Sequence, residues 1–90
     1  SHSGDEAENF IWNYLKKNDI FIDIGANIGT TTLEASKKIG DEGKIFSFEP
    51  NPRIFEFLRQ NILLNKCKNV KLFNFALGSK PTDKYFSDIY

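Results

Sequence analysis

Apolar residues along this chain follow two rhythms, one helical and one short and continuous. Ala7, Phe10, Ile11, Tyr14 and Leu15 recur at i, i+3, i+4, i+7 and i+8, which predicts a helix over 5–17 with one apolar stripe. Ser3, with Glu6 three residues later, offers that helix a capping box. Trp12 lies off the stripe and is assigned to a neighbouring surface. The run 19–24 holds Ile20, Phe21, Ile22 and Ile24, with Asp23 as its polar interruption. Such a run predicts a strand apolar on both faces, covered by helices on both sides as in a parallel sheet. A helix is predicted from about Ile28 to Ile39, closed by Gly40. Asp41-Glu42-Gly43 then turns the chain into a second strand over 44–49, with Ile45, Phe46 and Phe48. Asn51 caps the next helix, and Pro52 takes the first position, where a missing N–H costs nothing. Ile54, Phe57, Leu58 and Ile62 are expected on the buried face of that helix, which runs to about Asn65. A third strand is predicted over 69–76, with Val70, Leu72, Phe73 and Phe75, broken by Leu77-Gly78-Ser79-Lys80-Pro81. The tail 84–90 reads as a further short strand.

Strands alternating with helices imply right-handed crossovers and a parallel sheet. The fold class is therefore α/β: a Rossmann-like parallel sheet with helices on both faces, half of a doubly wound fold, in strand order 3-2-1. Residues 1–4 read as a tag remnant or a disordered start. Residues 5–80 read as a cofactor-binding half-domain, and 81–90 as a tail or the start of another strand. The first strand would then be an open edge, a site for self-association unless something covers it. Either the chain is a fragment of a longer enzyme or a second chain completes the sheet.

Composition narrows the partners. Ninety residues, 40% of them apolar and nine of them phenylalanine, make one small domain with a modest core. Twelve basic residues balance twelve acidic ones, so nothing marks a general binder of nucleic acid or of membrane surfaces. Residues 1–50 carry five basic and nine acidic groups, and residues 51–90 carry seven and three. Cys67 is the single cysteine, so no internal disulfide forms; a reducing, cytoplasmic setting is expected. Lys66 and Lys68 flank that thiol, which is read as a helix-end residue without a role. No membrane-spanning run, signal-peptide pattern or metal site is predicted.

The chemistry is concentrated in Phe21-Ile22-Asp23-Ile24-Gly25-Ala26-Asn27-Ile28-Gly29-Thr30. A strand ends in an acid, a turn with two glycines follows, and a helix begins. The strand's carboxyl end aims the loop at a ligand, glycine lets main chain approach it, and the helix start supplies free N–H groups. A tight connection without a ligand would use the same glycines. Glu49 ends the next strand, twenty residues after Gly29, where an acid accepts hydrogen bonds from two ribose hydroxyls. Asp23 lies in an otherwise apolar strand and is costly to bury without a cationic ligand group or nearby backbone N–H groups. A role in pinning the loop is the structural alternative. The dinucleotide fingerprint Gly-x-Gly-x-x-Gly fails here, because Asn27 stands where its second glycine belongs. A pyrophosphate would also be repelled by Asp23. The loop suits a ligand with a positive group and no phosphate.

These residues resemble a known family. Asp23-Ile24-Gly25-Ala26-Asn27-Ile28-Gly29 is similar to the first motif of class I S-adenosylmethionine-dependent methyltransferases. Phe48-Glu49-Pro50-Asn51-Pro52 resembles the second-strand motif of their FkbM-like subgroup, and Ala76-Leu77-Gly78 after the third strand is also similar to that subgroup's pattern. The resemblance covers roughly residues 20–80. It implies that Gly25, Ala26, Asn27 and Gly29 line the methionine part of S-adenosylmethionine, with Asp23 near its amino group and Thr30 also among the cofactor-binding residues. Glu49 would hold the ribose, with Pro50 and Asn51 near the adenine. Many members carry an acid after the third strand that contacts the adenine; here that place is Ala76, so main chain near Ala76 and Leu77 would take its part. No residue is a convincing base, and none is named as catalytic. The expected whole protein transfers a methyl group to an oxygen or nitrogen of a small molecule, and the chain alone is expected to bind rather than turn over. The alternatives are a non-catalytic Rossmann-like piece used in assembly and a nicotinamide oxidoreductase half-domain.

Overall fold

In a computed structural model, the structure describes residues 6, 11 and 13–77. Strand β1 (Ile20–Ile24), helix α1 (Thr30–Ile39), strand β2 (Lys44–Phe48), helix α2 (Pro52–Leu64) and strand β3 (Val70–Phe73) follow one another. The strands form one parallel sheet in the order β1-β2-β3, consistent with the predicted 3-2-1. Phe21 pairs with Ile45, Asp23 with Ser47, Ile45 with Val70, and Ser47 with Leu72. Since side chains alternate along a strand, these residues share one face of the sheet.

Both helices lie on that face. The sheet advances in one direction and each crossover is right-handed, so successive helices fall on the same side. Ala35 and Ile39 from α1, Phe55, Leu58 and Ile62 from α2, and Ile45, Val70 and Leu72 from the strands form the core. Ile11 and Leu15 join it. The other face carries Ile20, Ile22 and Ile24, which are 68%, 53% and 67% exposed. The two-sided apolarity of β1 predicted helices on both faces; among the described residues, helices cover one. Phe48 and Phe73 on the second face are buried by stacking on each other, with ring centroids 4.8 Å apart, and Phe75 meets both edge-on.

Several local expectations shift. Helix α1 begins at Thr30 rather than near Ile28, because Gly29 holds φ at 104°, outside the helical range. On α2 the buried set is Phe55, Leu58 and Ile62, while Phe57 is 58% exposed. Asn51 caps α2 as expected, its side chain accepting from Arg53 N and Ile54 N. Strand β3 stops at Phe73 because the Asn74 side chain donates to Glu49 O and Pro50 O, and the chain bends there. Near the N-terminus, Glu6, Ile11, Asn13 and Tyr14 are helical, yet Tyr14 is 68% exposed, so the stripe narrows to Ile11 and Leu15. The Ser3 cap, Trp12, the Gly78–Pro81 break and the tail strand lie outside the described residues, and Cys67 is a half-buried free thiol packed on the core.

One polar residue ties α1 to the sheet. Buried Asn69, just before β3, accepts from Ser36 Oγ at 2.6 Å and donates to Ser36 O at 3.1 Å and Gly40 O at 2.8 Å. It thereby adds a second bond to two carbonyls at the helix C-terminus that already accept from Gly40 N and Gly43 N. Asn69→Ala should lower stability by about 2 kcal/mol, since it strands buried partners. Urea unfolding would show the lowered midpoint, with the slope unchanged.

Candidate cofactor site

The loop after β1 is fastened to the end of β2. Gly25 N and Ala26 N both donate to Phe48 O, at 2.8 and 2.9 Å. Asn61 Nδ2, on α2, donates to Ile28 O at 2.7 Å. Gly25, Asn27 and Gly29 sit at φ 69°, 59° and 104°, so the turn is built from left-handed residues.

The two glycines do different work. A Cβ placed on Gly25 would meet nothing within 4 Å, so the space above the loop is open to a ligand. A Cβ on Gly29 would lie 2.9 Å from Leu58 Cδ1, in the core. Gly25 thus borders the site, whereas Gly29 lets α1 and α2 pack closely. No side chain caps the N-terminus of α1, and its first turn carries no acid. Its N–H groups and partial positive charge are suited to a carboxylate.

Glu49 closes the site. It is buried, with Oε1 accepting from Asn27 N at 2.8 Å and Oε2 from Asn51 N at 3.1 Å. Each carboxylate oxygen can accept a further bond, which leaves capacity for two hydroxyls side by side. Glu49 therefore also clips the glycine loop to the loop before α2. Sequence reading assigned it to a ligand and missed this second role, which needed the distance across 22 residues of chain.

Asp23 lies on the covered face, buried beside α1. Thr32 Oγ1 donates to its Oδ2 at 2.6 Å, and Thr32 Oγ1 lies 2.7 Å from Ser47 Oγ. The described partner is thus a hydroxyl rather than the expected backbone N–H groups. Burial pushes the Asp23 carboxyl above its ordinary value, the Thr32 bond opposes that, and the negative charge of Glu49 adds to the rise. The folded chain therefore holds this proton more tightly than the unfolded one. The resulting stability is fully present below the unfolded value of 3.8 and is lost as pH climbs through the raised one.

The other expected residues are dispersed around this centre. Ala26 turns its methyl into the core, so only its main chain can face a ligand. Thr30 is exposed at the start of α1, and Pro50 and Asn51 are exposed beyond Glu49. Ala76 and Leu77 are exposed beyond the bend that follows β3. Asn74, Thr32 and Ser47 were not anticipated. Ser47 left a trace: it is a polar residue inside the apolar run of β2, and the register puts it beside Asp23.

A glycine turn, a strand-end acid and an uncapped helix start lie together at the carboxyl ends of parallel strands, where open α/β sheets bind their ligands. Residues 2–75 match the TRM5/TYW2 methyltransferase domain model, and the chain belongs to that family. S-adenosylmethionine is the cofactor of this class of methyltransferase fold. The chain is 36% identical over 66 residues to methyltransferase sdnD of Sordaria araneosa, covering 72% of this chain and 25% of that protein. Among solved structures, precorrin-6y C5,15-methyltransferase from Geobacter metallireducens superposes with a TM-score of 0.68 at 28% identity, over 79% of this chain and 36% of that one. Trm5b from Pyrococcus abyssi superposes with a TM-score of 0.66 at 25% identity, over 77% and 20%. The chain spans 20% to 27% of the length of the curated relatives it matches. Among the described residues, no helix is long and apolar enough to cross a membrane, and no cluster could hold a metal ion.

Proposed function

We propose that this chain is the S-adenosylmethionine-binding portion of a methyltransferase. The observation that carries this reading is Glu49: a buried carboxylate at the end of β2, held by two backbone N–H groups and able to accept two more bonds. Residues 23–30 supply the other wall. Asp23 would face the cationic end of the cofactor, Gly25, Ala26 and Asn27 would offer main chain, and Gly29 and Thr30 would bring the α1 N-terminus to the methionine carboxylate. Pro50, Asn51, Ala76 and Leu77 would border the adenine. When bound, the cofactor supplies an electrophilic methyl group; the chain's own contribution is to bind and orient it.

The acceptor is read as a small molecule with an oxygen or nitrogen nucleophile, supported by the balance of twelve basic and twelve acidic residues. Likeness to a probable ribosomal RNA small subunit methyltransferase A, 34% identical over 58 residues, favours a second reading, an RNA acceptor, and methylation assays with RNA and with small nucleophiles would separate the two. The motif Phe48-Glu49-Pro50-Asn51-Pro52 supports an FkbM-like variant of the site, and the single cysteine, Cys67, is in keeping with a cytoplasmic setting. Calorimetry with S-adenosylhomocysteine and, separately, reduced nicotinamide dinucleotide tests the cofactor. Binding of the first alone is expected; binding of the second alone would make the site an oxidoreductase's.

A further inference from the structure

Beneath the loop runs a line of three buried polar side chains, Asp23, Thr32 and Ser47, which are 8%, 0% and 0% exposed. Each comes from a different element: β1, the first turn of α1, and β2. Asp23 sits at the strand end from which the glycine loop departs. Thr32 lies between the other two, 2.6 Å from Asp23 Oδ2 and 2.7 Å from Ser47 Oγ. A hydroxyl has one proton. When Thr32 gives that proton to the Asp23 carboxylate, the contact with Ser47 requires Ser47 to donate to Thr32. The polarity then runs Ser47 to Thr32 to Asp23, and both hydroxyl dipoles point toward an anion. With Asp23 protonated, the same atoms can reverse the line, Asp23 donating to Thr32 and Thr32 to Ser47.

We propose that Thr32, backed by Ser47, is the positioning residue of the cofactor site, holding the Asp23 carboxylate ionised and fixed so that it can meet the cationic end of the cofactor. This rests on the cofactor reading above. Two forces work against the ionised form: burial, and the charge of Glu49 at the end of β2. Among the described residues, Glu49 is the charged group whose field is felt at Asp23, and the elements packed around it contribute no cation to the balance. Hydroxyl donation is therefore the force that favours the anion. Thr32 is also in the first turn of α1, so the same residue orients the acid and belongs to the helix start that faces the ligand. A hydroxyl suits the position: it bonds either protonation state of Asp23, so the pair can hold together whether the site is filled or empty.

The sign of the pH effect follows. As pH falls through the raised Asp23 value, the carboxylate gains a proton and its attraction for a cation disappears, so affinity falls. Removing the Thr32 hydroxyl moves that fall to higher pH.

Two measurements on the protein test this. The first follows the Asp23 side-chain carboxyl carbon by NMR through a pH titration without ligand. The second measures S-adenosylhomocysteine affinity by calorimetry across the same range. Thr32→Val should raise the Asp23 midpoint and weaken binding at pH 7 by about tenfold, the order expected for a lost bond to a charged group. Thr32→Ser should restore both, and Ser47→Ala should move both in the same direction by less. If Thr32→Val leaves the Asp23 midpoint and the affinity of a folded protein unchanged, the proposal is overturned. Should Thr32→Val fail to fold, Ser47→Ala decides by the same two readouts. If the wild type does not bind S-adenosylhomocysteine at all, the cofactor reading falls, and the positioning role with it. Binding with a normal pH profile in both variants removes the positioning role alone.

Discussion

Glu49→Ala should weaken S-adenosylhomocysteine binding by about a hundredfold, because charge-assisted hydrogen bonds contribute about 1.5–3 kcal/mol each. Two losses combine in this variant. The ribose hydroxyls lose their acceptors, and Asn27 N and Asn51 N lose the carboxylate that holds them. Glu49→Gln separates these effects. The amide can accept through one oxygen only, so it keeps one of the two loop contacts and turns its NH₂ against the other. The expected order of affinity is wild type, then Gln, then Ala, measured by calorimetry. The Ala variant should also show faster hydrogen exchange at the Asn27 amide, because its partner is gone. An Ala variant that binds as well as wild type would remove Glu49 from the site.

The second large effect separates the two glycines. Gly25→Ala meets no atom within 4 Å, so its cost to the fold is the left-handed backbone alone, about 1 kcal/mol. Its methyl enters the space a ligand would use, so affinity should fall by more than tenfold, a loss larger than the stability change. Gly29→Ala behaves in the opposite way. It adds the same kind of backbone strain and a contact at 2.9 Å with the end of the fully buried Leu58 side chain, which must shift within the core. Its stability loss should be about 2 kcal/mol. Urea unfolding and calorimetry on the same two variants check the crossover. Equal stability losses in both would mean that the open space at Gly25 has no special standing.

Much of this was legible in the sequence, for physical reasons that differ from element to element. The strand–turn–helix unit around Gly25 reads directly because its signals are local: an apolar run, glycines where φ turns positive, and a helix after them. Asn51 and Pro52 mark the start of α2 for the same reason. The buried face of α2 was less legible. Phe57 and Leu58 are adjacent apolar residues, and periodicity alone cannot say which one points to the core. The exposed face of β1 was hidden more deeply, since apolarity on both sides states what a strand requires and not which residues supply the cover. The Asp23–Thr32–Ser47 line was invisible because its members are 9 and 15 residues apart and meet only through the register of β1 with β2 and the placement of α1.

Family membership follows from the matched domain, and the proposed site rests on how Glu49 and the glycine loop are joined. The most direct test is a residue-resolved NMR titration of the protein with S-adenosylhomocysteine. The account predicts saturable shifts at the amides of Gly25, Asn27, Glu49 and Asn51, and none at Lys37 and Lys38 in the last turn of α1. Saturable binding that leaves Gly25, Asn27 and Glu49 unmoved would contradict it.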